Sequence, residues 1–465
     1  MWLHGVKMMH TGGVVMRQSG DIDSMCLAQD KPNSVHSVRK MHFLDDLLHR
    51  IMGATCRFAL TVNSLHALHM AVLFYHRSFE DWNMGVHRLN IRASLLFLLL
   101  FPVMESPQIC TALCAETSDD SLSIMIGQML MVGFRGLNAD AGAPILKHIR
   151  ETHVGGVVLF DYDVERKSAE RNVASPEQLR SLILSLRAAA PIPLFIAVDQ
   201  EGGKIARLKA KHGFPAVPSQ QQLGMADKVD STKAVARRTA STLVAAGINV
   251  NFAPVLDLNT NPANPIIGGL GRSFGADTDL VASHGRAVAA EHEKAGIMTA
   301  MKHFPGHGSS RTDSHAGFVD VSDTWQHREL APFAVLIRED ACCMVMTAHI
   351  FNRKLDDKNP ATLSRKVITG LLRDSLGFHG VVVSDDLQMR AITDNYGLET
   401  AIVLAVHAGV DILLFGNNAG VYDEAIAEKA AAILRRAVDS GRITRERIVE
   451  SFNRIMNLKA RYPGR

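Results

Sequence analysis

Residues 193–201 read Pro193-Leu194-Phe195-Ile196-Ala197-Val198-Asp199-Gln200-Glu201, an apolar run of strand length that breaks off in a carboxylate. Gly202 and Gly203 follow. A buried strand that ends in acid and then turns is the unit from which the rest of the chain can be read. Seven further runs of this kind lie at residues 129–136, 155–161, 248–258, 297–306, 342–350, 380–387 and 411–417. Amphipathic stretches long enough for crossover helices separate them, among them 176–190, 231–246, 278–295 and 399–408. Strand and helix alternating eight times imply parallel strands, and eight such strands with right-handed crossovers close into a (β/α)8 TIM barrel. The fold class is α/β, over residues 119–463; an open doubly wound sheet is the second reading.

In a barrel of this kind the chemistry collects at the C-terminal ends of the strands. Polar residues end six of the runs: Asp199 and Glu201, Asp257, Lys302 and His303, His349, Ser384 with Asp385 and Asp386, and Asn417. Any one of them fits a helix cap or a satisfied buried group. Six at one end are poorly explained by capping. A carboxylate at the end of a buried strand is costly unless paired or working, which marks Asp199, Asp257 and Asp385. Lys302 and His303 supply the cationic complement. Such a mixture of donors and acceptors suits a sugar ring, whose hydroxyls both give and take hydrogen bonds. A nucleotide loop is not indicated, since Gly202 and Gly203 lack its spacing.

The segment after the fifth run, residues 302–315, carries Lys302, His303, His307, Asp313 and His315 among glycines and a proline. A His two residues after an Asp can fold back so that the carboxylate orients one ring nitrogen and leaves the other to move protons. The competing reading gives His303, His307, His315 and Asp313 to a divalent metal. Metal-dependent barrels usually draw ligands from several strands, so no metal and no cofactor is expected.

The remainder of the chain is less ordered in pattern. Residues 1–83 show no repeat and no regular alternation and stay unassigned. Residues 84–115 begin at Met84, pass His87, Arg88 and Arg92, run through nine apolar-rich positions at 93–101, and reach small residues near Ala112 and Ala115. That order is that of a secretory signal peptide and points to Met84 as the start, with export to the periplasm or beyond. The run is shorter than the roughly 20 residues needed to span a bilayer, so no stable membrane insertion is expected. A buried or interfacial apolar helix in a cytoplasmic protein is the other reading. Composition is ordinary for a soluble globular chain, with 47% apolar and 21% charged residues over 465 positions. A formal charge of +3, spread without basic runs, gives no nucleic-acid footprint. The expected partner is a small glycan, and the expected state a monomer. Six cysteines, Cys26, Cys56, Cys110, Cys114, Cys342 and Cys343, have neither zinc-site spacing nor a disulfide framework, and the last two are expected in a buried strand.

The motifs Asp199-Gln200-Glu201-Gly202-Gly203, Gly271-Arg272-Ser273-Phe274-Gly275, residues 302–308 (KHFPGHG), Asp313-Ser314-His315 and Ser384-Asp385-Asp386-Leu387 together resemble glycoside hydrolase family 3, in particular its single-barrel β-N-acetylglucosaminidases. Five separated motifs in the family's order cover roughly residues 119–460. The resemblance implies a retaining exo-β-N-acetylglucosaminidase acting on peptidoglycan fragments or related glycans. In the family the Asp after the seventh strand is the nucleophile, here Asp385, with Asp386 as the neighbour excluded from that role. The Asp–His pair is the general acid/base, here Asp313 and His315. Other branches use a Glu from a second domain; the sequence reaches Arg465 soon after the eighth run, which leads to the expectation of the His-based branch. Sugar-binding positions implied by match are Asp199, Arg207, Arg272, Lys302 and His303, with Asp257 beside them. Lys204 stands where an Arg is expected. Phosphorolysis by the same site and a non-catalytic glycan-binding barrel are the alternatives, the second disfavoured because Asp385, Asp313 and His315 are all present.

Overall fold

The computed structural model describes residues 120–462. The extension at 1–83 and the signal-like segment at 84–115 therefore lie outside the described residues. Each of the eight apolar runs contains one strand: β1 Leu130–Gly133, β2 Gly156–Leu159, β3 Phe195–Val198, β4 Val250–Asn251, β5 Met298–Phe304, β6 Met344–Thr347, β7 Val381–Val383 and β8 Leu413–Phe415. All neighbours pair in parallel. They lie in sequence order, with β8 against β1. A parallel bridge between Val383 and Ile412 joins β7 to β8 and completes the ring. There the Ile412 amide donates to the Val382 carbonyl over 3.0 Å. The open sheet is thereby ruled out.

The crossover helices form where caps and apolar spacing agree. Helix Pro176–Ala189 starts at Ser175, whose side chain accepts from the Gln178 amide, with Pro176 in the first turn where its missing N–H costs nothing. It buries Leu179, Leu182, Ile183 and Leu186, one face at spacings of three and four. Helix Thr278–Lys294 is capped by Asp277, and Val229–Ala246 ends at Gly247 with φ 89°. Among the described residues no helix is long and apolar enough to cross a membrane.

β4 is short for a local reason. Asn249 and Asn251 use their side chains on the neighbouring strand: Asn249 Oδ1 accepts from the Ile196 amide (2.7 Å) and Asn251 Oδ1 from the Gln200 amide (3.0 Å). Pro254 then interrupts the ladder because it has no N–H to give. Cys342 and Cys343 precede β6 instead of lying in it; the Cys342 thiol is buried against the Thr299 and Met344 carbonyls. Core residues Val158, Phe252, Met346 and Leu414 line the floor of a cavity at the C-terminal end of the barrel.

Candidate active site

That cavity has a volume of about 280 Å³. Its walls include Asp199, Arg207, Arg272, Lys302, His303, His315, Asp385 and Asp386. Seven of the nine site residues expected from sequence therefore face one space. Asp257 and Asp313 stand one layer behind, each holding a histidine that does line it.

The wall formed by β3 and β5 is an ion-pair network. Lys302 Nζ donates to Asp199 Oδ1 (2.7 Å) and forms an ion pair with Glu201 Oε1 (2.6 Å). Arg272 grips Glu201 through Nε (2.8 Å) and Nη2 (2.7 Å), and Arg207 Nη2 reaches Asp199 Oδ2 (3.1 Å). Burial pushes both carboxyls upward, but Lys302 with Arg207 at Asp199, and Arg272 with Lys302 at Glu201, outweigh it and hold both below the usual carboxylate range. Glu201 is the site residue that sequence reasoning left out, although it sat in the motif. Its signal was the two-residue spacing from Asp199, which puts both carboxylates on one side of an extended chain. The turn after it needs Gly202 at φ 102°, where a Cβ would also overlap the Pro218 carbonyl. Lys204 points away, donating to the Gly269 carbonyl (3.2 Å).

A second network hangs on Asp257. This fully buried carboxylate accepts from His303 Nδ1 (2.7 Å) and from the His307 amide (2.7 Å). Burial raises its pKa, yet the two histidines and the amide bring it below the ordinary value. His303 Nε2 lies 3.1 Å from Arg272 Nη2, and a guanidinium can only donate. His303 therefore carries its proton on Nδ1 and offers a lone pair at Nε2. His307 is tied to the Ser310 hydroxyl and, through Nε2, to Ser314 Oγ (3.3 Å); burial pushes it down to about 4. Asn264 holds the His307 carbonyl (2.8 Å) and Asn261 that of Ser310 (2.8 Å). Gly308 passes so close to Leu258 that a Cβ would overlap its carbonyl oxygen. These contacts fix residues 303–310.

The following residues are different. Asp313 Oδ1 accepts from both the backbone amide and Nδ1 of His315, each at 2.8 Å. This places the proton on Nδ1 and leaves Nε2 to exchange with solvent or substrate. The His315 side chain is 59% exposed, so the ring sits on a solvated loop at the cavity mouth. The three histidines turn to different partners, and among the described residues no group of three or more His, Cys, Asp or Glu is placed to hold a metal ion.

Asp385 follows β7. Burial works against its charge, but His349, His303 and His315 around it bring its pKa below the ordinary carboxylate value. It is an anion aimed into the cavity. Its neighbour Asp386 meets the reverse balance: burial, aided by Asp385, raises it to about 6 in spite of the Gln388 and Gly416 amides. The two adjacent carboxyls are thus distinguished by environment. His349, which lacks a cavity-facing position, bridges Thr362 Oγ1 (2.8 Å) and the Asp386 carbonyl (2.9 Å) and braces the turn that carries both. An ionised carboxylate and an Asp-oriented imidazole thus face one cavity together with sugar-matching donors and acceptors.

The family model for the glycosyl hydrolase family 3 N-terminal domain matches residues 121–458. Beta-hexosaminidase A of Pseudoalteromonas piscicida is 34% identical over 382 residues, covering 73% of this chain and 61% of that relative. Beta-hexosaminidase LpqI of Mycobacterium tuberculosis is 32% identical over 347 residues, covering 73% and 83%. The solved glycoside hydrolase family 3 β-N-acetylglucosaminidase from Paenibacillus sp. str. FPU-7 is similar with a TM-score of 0.67 and 40% identity, over 73% of this chain and 62% of that structure. The chain thus spans somewhat over three fifths of the length of the first of these relatives and of the solved structure. With its barrel, its strand-end residues and these matches in agreement, the chain belongs to glycosyl hydrolase family 3.

Proposed function

We propose that this chain is a retaining exo-β-N-acetylglucosaminidase that removes terminal β-linked N-acetylglucosamine from a glycan. The observation that carries the reading is the convergence of Asp385 and His315 on one cavity whose remaining wall is the Asp199–Lys302–Arg272 network. In the first step Asp385 attacks the anomeric carbon, the bond to the glycosidic oxygen breaks, and His315, entering the step protonated on both ring nitrogens, gives its Nε2 proton to that oxygen and keeps its Nδ1 proton donated to Asp313. In the second step His315 takes a proton from water, the water oxygen bonds to the anomeric carbon, and the Asp385 carboxylate leaves. Asp313 holds the ring in the required tautomer throughout. Asp199, Arg207, Arg272, Lys302 and His303 bind the sugar hydroxyls, and Asp257 keeps His303 oriented. The names of the hexosaminidase relatives support the N-acetyl preference. Peptidoglycan fragments are the proposed natural substrate. Export is proposed from the segment at 84–115, in line with a fungal relative named as a secreted glycosyl hydrolase.

The test is chromophore release from an aryl N-acetyl-β-glucosaminide by the full chain, beside its Asp385→Ala variant and the matching β-glucoside. Turnover restricted to the N-acetyl substrate and lost in the variant is expected, with the β-anomer as first product by NMR. A folded protein that turns over neither substrate defeats the hydrolase reading. A rate proportional to added phosphate, with a sugar phosphate as product, replaces it by phosphorolysis.

A further inference from the structure

The mouth of the cavity carries an apolar ledge that the catalytic residues do not explain. Tyr162 and Val164, on the loop after β2, line the cavity and are still 43% and 50% exposed. Asp163 between them is buried, turned to Arg135 (2.6 Å) and Arg171 (2.9 Å). Asp163 sits where the chain enters a turn at 164–167, and with its side chain inward Tyr162 and Val164 are left exposed at the cavity mouth. The presentation is rigid. Asn418, from the loop after β8, accepts from the Val164 amide (3.0 Å) and donates to the Tyr162 carbonyl (3.0 Å). Asp163 and Ser168 exchange two backbone bonds, and Asp163 also accepts from the Arg166 amide (2.9 Å). Two large apolar side chains held side by side in water at a cavity rim are an unmet binding surface, not packing.

Volume and polarity say what fits it. The cavity, at about 280 Å³, falls just below the roughly 300–1,000 Å³ of sites that enclose drug-sized ligands, so it has room for one sugar and the next must lie on the rim. Asp163 and Glu165 together balance Arg135 and Arg171 beneath the ledge, so the surface offers no net charge to an ionic group. An aromatic ring with an aliphatic side chain near it matches the C–H face of a pyranose. We propose that Tyr162 and Val164 form a leaving-group subsite that takes the sugar ring next to the scissile bond, an inference that rests on the glycosidase reading above.

The experiment compares N,N′-diacetylchitobiose, which has a ring in that position, with methyl N-acetyl-β-glucosaminide, which has none. In the full chain, Tyr162→Ala is expected to lower the ratio of their kcat/KM values about tenfold, and Tyr162→Phe to restore it. An unchanged ratio, or an equal fall on both substrates, overturns the subsite. Failure of the unsubstituted chain to cleave either glycoside is a different result: it defeats the hydrolase reading and takes the subsite with it.

Discussion

Glu201→Gln isolates what the buried charges on the β3–β5 wall contribute. The substitution keeps the side-chain volume and removes the negative charge from a group that is 6% exposed, accepts two hydrogen bonds from Arg272 (2.7 and 2.8 Å) and pairs with Lys302 at 2.6 Å. The wall then holds three cations, Arg207, Arg272 and Lys302, against the single carboxylate of Asp199. Glutamine's amide nitrogen must also face Lys302 or Arg272, which can only donate. Removing one partner of a buried pair costs about 3–5 kcal/mol. For a barrel of about 340 residues the unfolding entropy is about 0.7 kcal/mol/K, so the melting temperature should drop by about 4–7 °C. The acid side supplies a sign. Glu201 has its pKa lowered in the folded state, so its stabilisation is complete above its unfolded pKa of about 4.3 and is lost as pH falls through the folded value. The deficit of the variant should therefore be constant from pH 8 to 5 and shrink below about pH 4. Calorimetric melts of both proteins across that range read it directly. A variant melting within about 1 °C of the parent at pH 7.5, or a deficit that persists unchanged into acid, would refute the argument that these charges are mutually required.

Two further substitutions probe other parts of the barrel. Lys459, in the helix Arg445–Arg461, is buried with only neutral neighbours on its ammonium, Gln128 Oε1 (2.7 Å), the Gly155 carbonyl (2.9 Å) and the Phe195 ring (4.7 Å); burial pushes its pKa down to about 7. Between that value and about 10.4 the unfolded chain holds a proton that the folded one has lost, so the parent gains about 1.4 kcal/mol, or about 2 °C, per pH unit relative to Lys459→Met. Melting differences measured from pH 7 to 9.5 that stay flat count against it. Gly308→Ala places a methyl group on the Leu258 carbonyl, a backbone atom that has no rotamer to move to. It should cost about 1–3 kcal/mol and, by displacing residues 303–310, about 100-fold in kcat/KM, and near-parental activity would show that the loop is free to shift.

The sequence carried the architecture because burial is periodic and turn chemistry is local. Each apolar run contains its strand, and the helices at 176–189, 229–246 and 278–294 fall where spacing and caps placed them. The site's first layer was legible for a related reason: strand ends in a barrel converge, so residues far apart in the chain share a space. What stayed hidden is what depends on side-chain direction and on contacts between loops. The pairing of Glu201 with Arg272, 71 residues away, is one case, and the opposite environments of Asp385 and Asp386 are another. Adjacent identical residues cannot be told apart by type; they differ because one faces histidines and the other faces a backbone turn beside Gly416. The Tyr162 ledge was equally hidden, since its exposure follows from Asp163 turning inward.

The two groups proposed as nucleophile and acid/base stand on supports of opposite character, and the proposed chemistry asks for that. A carboxylate proposed to attack an anomeric carbon must be ionised and fixed; the surrounding histidines favour the charge of buried Asp385, and the Asp386 amide donates to its Oδ1 (2.8 Å). The acid/base has to reach the leaving oxygen in one step and a water molecule in the next, so burial in the charge network would hinder it. His315 is accordingly placed on a loop whose first part, to Ser310, is tied by Asn261, Asn264 and Asp257, and whose distal part is exposed. Asp313, only two residues away on the same loop, holds Nδ1 of the ring, and Ser314 between them is buried against His307. Pairing the proposed acid/base with a neighbour on its own loop puts the exposed ring and the carboxylate that orients it on one segment.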